Sequence, residues 1–297
     1  MSDREKKSIE RIQLASKMSL HYYGVPLLIA YSGGKDSDVL VTLAERSGIP
    51  FEVEYSLTTV DAPQTIYHVR DKFKRLEERG YKTIINKHQQ ADGTFMTMWR
   101  LIVKKGMPPT RIARYCCQVL KEGAGIDRMI ATGVRWAESN SRKSRESFEI
   151  LGKTVKDAIR LSVEIMLNND NDEKRKFIER CEIKSKTIAN PIIDWSDADI
   201  WEYYWTECES HNDLYKCGYY RVGCVGCPLG GRKNMLKEFH DFPTYERAYK
   251  RAFAKMIENN RLTGKLCSWK DANECFDWWL GPDGNIDGQL SLDLGGE

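Results

Sequence analysis

The sequence predicts an α/β fold in which a doubly wound, mostly parallel sheet is followed by a helical C-terminal extension. Short apolar runs of strand length alternate with amphipathic helical stretches up to about residue 134. A glycine-containing loop follows the first of these runs, and the chain after Cys227 reads as helical to about residue 280. Strand–helix alternation of this kind is typical of a parallel sheet whose helices cover both faces.

The first half of the chain supplies most of the predicted sheet. Residues 3–20 predict a charged amphipathic helix, and VPLLIAY at 25–31 predicts a strand buried on both faces. The next helix carries one apolar face, which consists of Val39, Leu40, Leu43 and Ala44. A helix is also predicted over residues 65–79, and three further strands are FEVEYSL (51–57), YKTIINK (81–87) and RMIATGV (128–134).

The second half of the chain contains a polar segment and then an apolar segment that precedes a predicted helix. Residues 168–176 predict a polar surface excursion, and ANPIIDW at 189–195 returns to the fold. Ser196 caps the helix that follows, with Asp199 three residues on. We therefore predict a nucleotide-binding domain over residues 1–230, a helical subdomain over 231–280 and a loose tail over 281–297.

Composition limits the class of protein. Hydrophobic residues make up 41% of the 297 residues and charged residues 30%, and the net charge is +3, an ordinary globular balance. No apolar run approaches the roughly 20 residues that span a bilayer, and the N-terminus lacks a signal-peptide core. We therefore expect a cytoplasmic protein without a membrane partner. Its nine cysteines indicate metal or redox chemistry rather than a disulfide scaffold.

The loop Ser32-Gly33-Gly34-Lys35-Asp36-Ser37 lies between a predicted buried strand and a predicted helix. The glycines let the backbone approach an anion, and the N-terminus of the helix favours negative charge. The two serine hydroxyls and the lysine add donors and positive charge. The aspartate suits either Mg²⁺ or the helix cap. We predict a phosphate-binding loop that differs from the Walker A pattern.

This loop closely resembles the PP-loop, SGGxDS, of the ATP pyrophosphatase superfamily. The resemblance implies an adenine nucleotide α-hydrolase-like sheet that binds ATP with Mg²⁺, or a related adenylyl nucleotide. It also implies cleavage of ATP between its α- and β-phosphates.

Three later segments resemble the phosphoadenosine phosphosulfate (PAPS) reductase family within that superfamily. They are TRIARYCCQVLK (110–121), ATGVRWAESNSRKS (131–144) and NPIIDWSDADIW (190–201). The second segment matches the family pattern G-x-R-x-x-E-S-x-x-R at Gly133, Arg135, Glu138, Ser139 and Arg142. The resemblance implies that these residues join the loop in binding ATP, PAPS or adenylylsulfate.

Two cysteine pairs suit a metal or a cluster. Cys116-Cys117 and Cys224-x-x-Cys227 correspond to the pairs that hold a [4Fe–4S] cluster in the iron–sulfur adenylylsulfate reductases. A rival ligand set resembles the DNA-phosphorothioation members of the family and consists of Cys208, Cys217, Cys224 and Cys227. Zn²⁺ is a further alternative. The remaining cysteines are interpreted as small buried hydrophobes: Cys181, Cys267 and Cys275.

The resemblance has one gap. Assimilatory reductases of the family carry a catalytic cysteine in E-C-G-(I/L)-H, an element absent from residues 1–297. We therefore expect an ATP pyrophosphatase or sulfurtransferase in which Lys35, Asp36 and Arg135 serve catalysis. The alternatives are a PAPS or adenylylsulfate reductase that produces sulfite, and a nucleotide-binding subunit without turnover.

The expected partners are a sulfur-donor protein, such as a cysteine desulfurase, and a nucleic-acid acceptor. The cationic residues that favour a nucleic acid are Arg142, Lys143, Arg145, Arg232, Lys233 and Lys237.

Overall fold

A computed structural model describes residues 1–121, 123, 125, 127–138, 178–181 and 186–281. Its sheet has six strands in the order β3-β2-β1-β4-β6-β5, and every neighbouring pair is parallel except β5 with β6. The strands are β1 (Leu27–Tyr31), β2 (Phe51–Ser56), β3 (Lys82–Asn86), β4 (Met129–Ala131), β5 (Ile178–Cys181) and β6 (Lys186–Ala189). The predicted mostly parallel sheet is confirmed.

Helices flank this sheet and make up most of the C-terminal region. They are α1 (Asp3–Tyr23), α2 (Lys35–Ser47), α3 (Pro63–Glu78), α4 (Met98–Lys105), α5 (Tyr115–Leu120), α6 (Asp197–Glu207), α7 (Asp213–Lys216), α8 (Gly231–Asp241), α9 (Pro243–Leu262) and α10 (Ala272–Leu280). Ser196 and Asp199 form the predicted capping box of α6. The excursion at 168–176 and residues 282–297 lie outside the described residues. Within the described ranges, no helix is long and apolar enough to cross a membrane.

The described chain forms two compact units that interleave along the sequence. The first unit combines the described residues of Met1–Ser56, Pro63–Asn86 and Gly123–Val222. The second combines the described residues of Leu57–Ala62, Lys87–Glu122 and Gly223–Glu297. The second unit thus takes two short segments from within the sheet region, at 57–62 and 87–122.

The first unit is built around β1, which pairs with β2 on one side and β4 on the other. The chain adds β2 and β3 outward from one edge of β1 and then returns to place β4 against its opposite edge. This reversal opens a crevice at the carboxyl ends of β1 and β4, where α/β sheets of this kind bind ligands. The predicted apolar face of α2 is buried in the core: Val39, Leu40, Leu43 and Ala44.

The second unit is helical and closes around an aromatic core. The helix α9 packs against α4, α8 and α10. The core rings are Phe239, Tyr249, Phe253, Phe276 and Trp279, all buried. The indole of Trp279 donates to the carbonyl of Pro109 at 2.6 Å, so its polar atom is satisfied. The apolar spacing after Cys227 therefore reflects packing within this unit.

Candidate functional site

The loop Ser32–Ser37 joins the carboxyl end of β1 to the start of α2, beside the crevice between β1 and β4. The Ser37 hydroxyl donates to the carbonyl of Gly34 at 2.7 Å. The Ser37 oxygen also accepts the Ser32 amide at 3.2 Å and lies 3.1 Å from the Ser32 hydroxyl. These contacts preorganise the loop before an anion arrives, which lowers the cost of ordering it on binding.

Two glycines are required by close contacts at this loop. Gly33 has φ +71°, and a Cβ there would lie 2.9 Å from Thr65 and Val69. Gly133, in the segment after β4, approaches so closely that its Cβ would lie 3.1 Å from the backbone of Asp36. The loop after β1 and the segment after β4 are therefore in direct contact, as the crevice requires.

Arg135 connects these segments to the start of α6. Its side chain is only 2% exposed, and it donates from Nε to Asp36 Oδ1 at 2.6 Å and from Nη2 to Asp197 Oδ1 at 2.7 Å. Its Nη1 donates to the carbonyl of Trp195 at 3.2 Å. The buried guanidinium is thus paired with two carboxylates, and it orients Asp36 within the loop.

Asp197 was not predicted as a site residue. Burial alone would raise the pKa of Asp197, but hydrogen bonds from Arg135 and Tyr220 outweigh it and hold the pKa below its usual value. Its negative charge also lies close enough to Lys35 to contribute to this lowering. The crevice therefore contains two cations, on Lys35 and Arg135, and two compensating carboxylates, on Asp36 and Asp197.

Lys35 is held by aromatic rings from the end of the first unit. Its ammonium lies 3.1 Å from Asp36 Oδ2, 5.0 Å from the ring centre of Trp201 and 5.4 Å from that of Tyr220. The amide of Lys35 donates to the hydroxyl of Tyr215 at 2.8 Å. Sequence reasoning missed these rings, although YKCGYY at 215–220 and Trp201 are unusually aromatic for a polar stretch.

The structure describes some of the remaining residues that were predicted to bind the nucleotide, but not all of them. Gly133 and Arg135 lie against the loop, as described above. Glu138 ends a short 3-10 turn that begins at Trp136. Ser139 and Arg142 lie outside the described residues.

The two predicted cysteine pairs both belong to the second unit. Asp61 and Cys224 form an antiparallel bridge, and the Cys224 thiol donates to Thr58 Oγ1 at 3.5 Å. Cys116 and Cys117 lie in the first turn of α5, and Arg114 Nη2 lies 3.8 Å from the Cys117 sulfur. All four thiols are free of disulfides.

The two cysteine pairs lie close enough for their charges to influence each other. The hydrogen bond with Cys117 is the main reason that the pKa of the Cys116 thiol is raised, and negative charge on Cys224 and Cys227 adds to the shift. The pKa of Cys117 is lowered by its hydrogen bond from Cys116, and Arg114 and Lys121 favour its thiolate. In the described part of the chain, no three His, Cys, Asp or Glu side chains converge on a single metal position.

The rival cysteine set draws on both units, because Cys208 and Cys217 belong to the first. Cys208 is buried and accepts a hydrogen bond from Thr42 at 3.4 Å, and burial raises its thiol pKa to about 12. Cys217 is exposed at the end of α7. Cys275 is buried in α10, and burial raises its pKa to about 12 as well. Cys267 is half-buried and donates to the carbonyl of Trp269.

Comparison with known proteins agrees with this arrangement of sheet and loop. Residues 26–229 match the phosphoadenosine phosphosulfate reductase domain. This match covers more than half of the 297 residues, and the chain belongs to that family.

Individual relatives are distant. An uncharacterized protein of Methanocaldococcus jannaschii, MJ0066, is 24% identical over 247 residues, which are 80% of this chain and 43% of that protein. An adenosine 5'-phosphosulfate reductase of Oceanobacillus iheyensis is 21% identical over 211 residues, 69% of this chain and 72% of that enzyme. A phosphoadenylyl-sulfate reductase structure from Candida auris shares 16% identity over 73% of this chain and 88% of that one, with a TM-score of 0.46. The chain spans about half the length of the M. jannaschii relatives it matches.

Proposed function

We propose that this protein is an ATP pyrophosphatase that activates an acceptor for sulfur transfer. The observation that carries the proposal is the preorganised serine–glycine loop at the crevice between β1 and β4, with Lys35 and Arg135 beside it. A loop of this kind at the N-terminus of α2 supplies amide and hydroxyl donors for a polyphosphate.

The proposed reaction has two steps. An acceptor oxygen attacks the α-phosphorus of ATP, the bond to the bridging oxygen breaks, and pyrophosphate leaves with the electron pair. The acceptor proton goes to solvent. Hydrosulfide then attacks the carbon that bears the adenylated oxygen, the carbon–oxygen bond breaks, and AMP leaves. The sulfur arrives as hydrosulfide, or from a sulfur-donor protein such as a cysteine desulfurase together with a reductant.

The residues of the crevice divide this work. The hydroxyls of Ser32 and Ser37, with the amides of Gly33 and Gly34, bind the leaving pyrophosphate. Lys35 neutralises charge that develops on the leaving group, and Mg²⁺ enters with ATP as part of the substrate. Arg135 acts mainly by holding Asp36, since its guanidinium is occupied by two carboxylates.

Charge balance supports the need for Mg²⁺ with the nucleotide. The positive charges of Lys35 and Arg135 are already offset by Asp36 and Asp197 within hydrogen-bonding distance. A bare polyphosphate would therefore meet little net positive charge from these four side chains. The divalent cation supplies the charge that the protein lacks.

The sulfur step uses the second unit. Cys116, Cys117, Cys224 and Cys227 would hold a [4Fe–4S] cluster as thiolate ligands. Four free thiols with Arg114 and Lys121 nearby are the donor set that such an anionic cluster needs. When bound, a cluster ligated by all four cysteines would supply electrons to the sulfur step, because four thiolates leave no iron open to hold sulfur.

The acceptor is proposed to be a nucleic acid, on the basis of the cationic residues that the sequence analysis assigns to this role. Of the residues predicted for this role, Arg142, Lys143 and Arg145 lie outside the described residues. On α8, Lys237 pairs with Asp241 at 2.7 Å, while Lys233 is exposed. Nucleic-acid binding through such groups would weaken steeply with salt.

A second candidate function is reduction of adenylylsulfate to sulfite. The similarity to adenosine 5'-phosphosulfate reductases over 69% of the chain favours it. Against it, a catalytic thiol must attack the sulfonucleotide, and Cys275 is fully buried with a raised thiol pKa. Cys267 is left as the candidate nucleophile of the C-terminal region.

Anaerobically purified protein separates these functions. Iron and acid-labile sulfide are measured first, and iron with sulfide is expected in the wild type but not in the Cys224→Ser variant. The protein is then incubated with Mg-ATP, hydrosulfide and RNA or DNA, and separately with adenylylsulfate or PAPS and a thiol reductant. We expect pyrophosphate from ATP and no sulfite from either sulfonucleotide.

Other outcomes select the alternatives. Sulfite formation that disappears in Cys267→Ser would establish the reductase in place of the pyrophosphatase. Tight ATP binding with no product after long incubation would indicate a nucleotide-binding subunit. Zinc in place of iron would remove the cluster and leave the nucleotide step to be judged by pyrophosphate release.

A further inference from the structure

Two buried hydrogen-bond donors at the carboxyl edge of the sheet have no partner among the residues that the structure describes. They are Nδ2 of Asn190, directly after β6, and Nε1 of Trp136, shortly after β4. Asn190 is completely buried. A buried donor without a partner is destabilising, so most such groups bind water, an ion or a ligand.

Both donors are anchored to the same residue of the backbone. The amide of Trp136 donates to the carbonyl of Ile193 at 2.9 Å, and the amide of Ile193 donates to the carbonyl of Asn190 at 3.2 Å. The two side chains therefore start from neighbouring points at the ends of β4 and β6. The hydroxyl of Thr132 donates to Oδ1 of Asn190, which fixes the amide so that Nδ2 is the free end.

Asn190 follows β6, which lies on the side of β4 opposite β1, and the backbone of Trp136 bonds to Ile193 in the segment after β6. The phosphate loop follows β1, the segment Gly133–Arg135 contacts Asp36 of that loop, and Trp136 is the next residue along the chain. A nucleotide whose terminal phosphates occupy the loop would extend its α-phosphate across the end of β4. Its non-bridging oxygens are acceptors of the kind that Nδ2 and Nε1 lack.

We infer that Asn190 and Trp136 donate hydrogen bonds to the α-phosphate of the bound adenine nucleotide. The pair forms a subsite for one phosphoryl group, separate from the loop that holds the leaving pyrophosphate. Its neutral donors suit a group whose charge changes little during the reaction. The inference rests on the proposed function only in taking the ligand to be an adenine nucleotide.

The test compares adenosine with AMP, which differ by this one phosphate. Isothermal titration calorimetry on the full chain gives both affinities for the wild type, Asn190→Ala and Trp136→Phe. We expect each variant to lower the affinity for AMP by roughly five- to thirtyfold and to leave the affinity for adenosine within about twofold of the wild-type value. Asn190→Asp places a carboxylate beside the phosphate, so it should lower the affinity for AMP more than Asn190→Ala does.

Matched controls come from the second unit, where the same side-chain types have their donors satisfied. Asn260 donates to the carbonyl of Gly106 at 2.8 Å, and Trp279 donates to that of Pro109 at 2.6 Å. Asn260→Ala and Trp279→Phe should lower the melting temperature without changing the ratio of AMP to adenosine affinity. This ratio separates a ligand contact from a purely structural role.

The inference is overturned if Asn190→Ala weakens adenosine and AMP equally, or leaves both unchanged while the protein remains folded. Either result would assign Nδ2 to a structural water. Because binding is measured without turnover, a protein that binds AMP as expected but releases no pyrophosphate would contradict the proposed function alone.

Discussion

Replacing Arg135 tests whether the buried guanidinium organises the phosphate loop. In Arg135→Met a side chain of similar length replaces one that is 2% exposed and donates to Asp36, Asp197 and the carbonyl of Trp195. Removing one partner of a fully buried ion pair costs about 3–5 kcal/mol. Asp36 is 20% exposed, so the loss of its ion pair with Arg135 should lower the free energy of unfolding by an amount near that range. Asp197 is 45% exposed, so the loss of its ion pair adds at most about 1 kcal/mol.

We therefore expect Arg135→Met to lower the free energy of unfolding by about 3–4 kcal/mol. Arg135→Lys keeps the charge but loses the planar fork that reaches two carboxylates, so it should recover only about half of this loss. Equilibrium urea denaturation, followed by tryptophan fluorescence, measures both. Because Asp36 loses its orienting partner, ATP should also bind more weakly in both variants.

The matched control is an arginine in an exposed pair. Arg75 lies 2.9 Å from Asp71 one helical turn away on α3, and the two side chains are 39% and 49% exposed. Arg75→Met should lower the free energy of unfolding by only about 0.3–0.5 kcal/mol. If Arg135→Met falls within 0.5 kcal/mol of this control, the reasoning that assigns Arg135 a central positioning role is refuted.

Three further predictions follow from individual contacts. Asp194 accepts two hydrogen bonds from Arg11, at 2.6 and 3.0 Å, and these outweigh the effect of burial and lower the pKa of Asp194. Asp194→Asn should lower the free energy of unfolding by about 2 kcal/mol at pH 7, as measured by urea denaturation. This stabilisation is present above the unfolded pKa near 3.9 and disappears as the pH falls through the lowered native pKa, so the stabilities of the two proteins should converge in acid below that native pKa. Iodoacetamide at pH 8 should modify Cys267 in the folded protein and leave Cys275 unmodified, as mass spectrometry will show, because Cys275 is buried with a thiol pKa of about 12. Gly33→Ala should weaken ATP binding in calorimetry and cost about 1–3 kcal/mol of stability, since the residue has φ +71° and no room for a Cβ.

Each of these predictions has an outcome that contradicts it. A constant difference between wild type and Asp194→Asn from pH 7 to pH 2.5 would mean that the Arg11 pair does not depend on the carboxylate charge. Equal labelling of the two cysteines would mean that α10 opens readily. Unchanged ATP binding in Gly33→Ala would show that the loop tolerates a side chain at that position.

Local patterns predicted β1 to β4 because each of these strands carries its own signal, whereas β5 and β6 were not predicted. The run LLIAY is apolar because β1 is central and paired on both edges, and all of its residues except Ala30 are buried. The start of α6 was predicted from Ser196 and Asp199, since a capping box depends only on residues three apart. The phosphate loop was recognisable for the same reason: its six residues are contiguous.

Contacts between distant residues were not predictable in this way. Arg135 was assigned to an anionic ligand, and its pairing with Asp197, 62 residues later, depends on how the segment after β4 meets the start of α6. Tyr215 reaches the amide of Lys35 across 180 residues. No periodicity in the sequence records such pairings, because they arise from packing of elements that are separate along the chain.

The interleaving of the two units along the chain is a second feature that local sequence patterns do not predict. The segments 57–62 and 87–122 leave the sheet region and pack with residues after 223. Family resemblance, rather than physical reasoning, paired Cys116-Cys117 with Cys224 and Cys227 at the level of sequence.

The loop of residues 32–37 is proposed to direct cleavage between the α- and β-phosphates of ATP. Anaerobic protein incubated with Mg-ATP labelled at the α-phosphate, in the presence of nucleic acid and hydrosulfide, gives a product whose identity tests this directly. We predict labelled AMP or an adenylated acceptor with an equal amount of pyrophosphate, and a large loss of both in Ser37→Ala and Lys35→Ala. Labelled ADP with inorganic phosphate, or pyrophosphate release unchanged in both variants, would contradict the account.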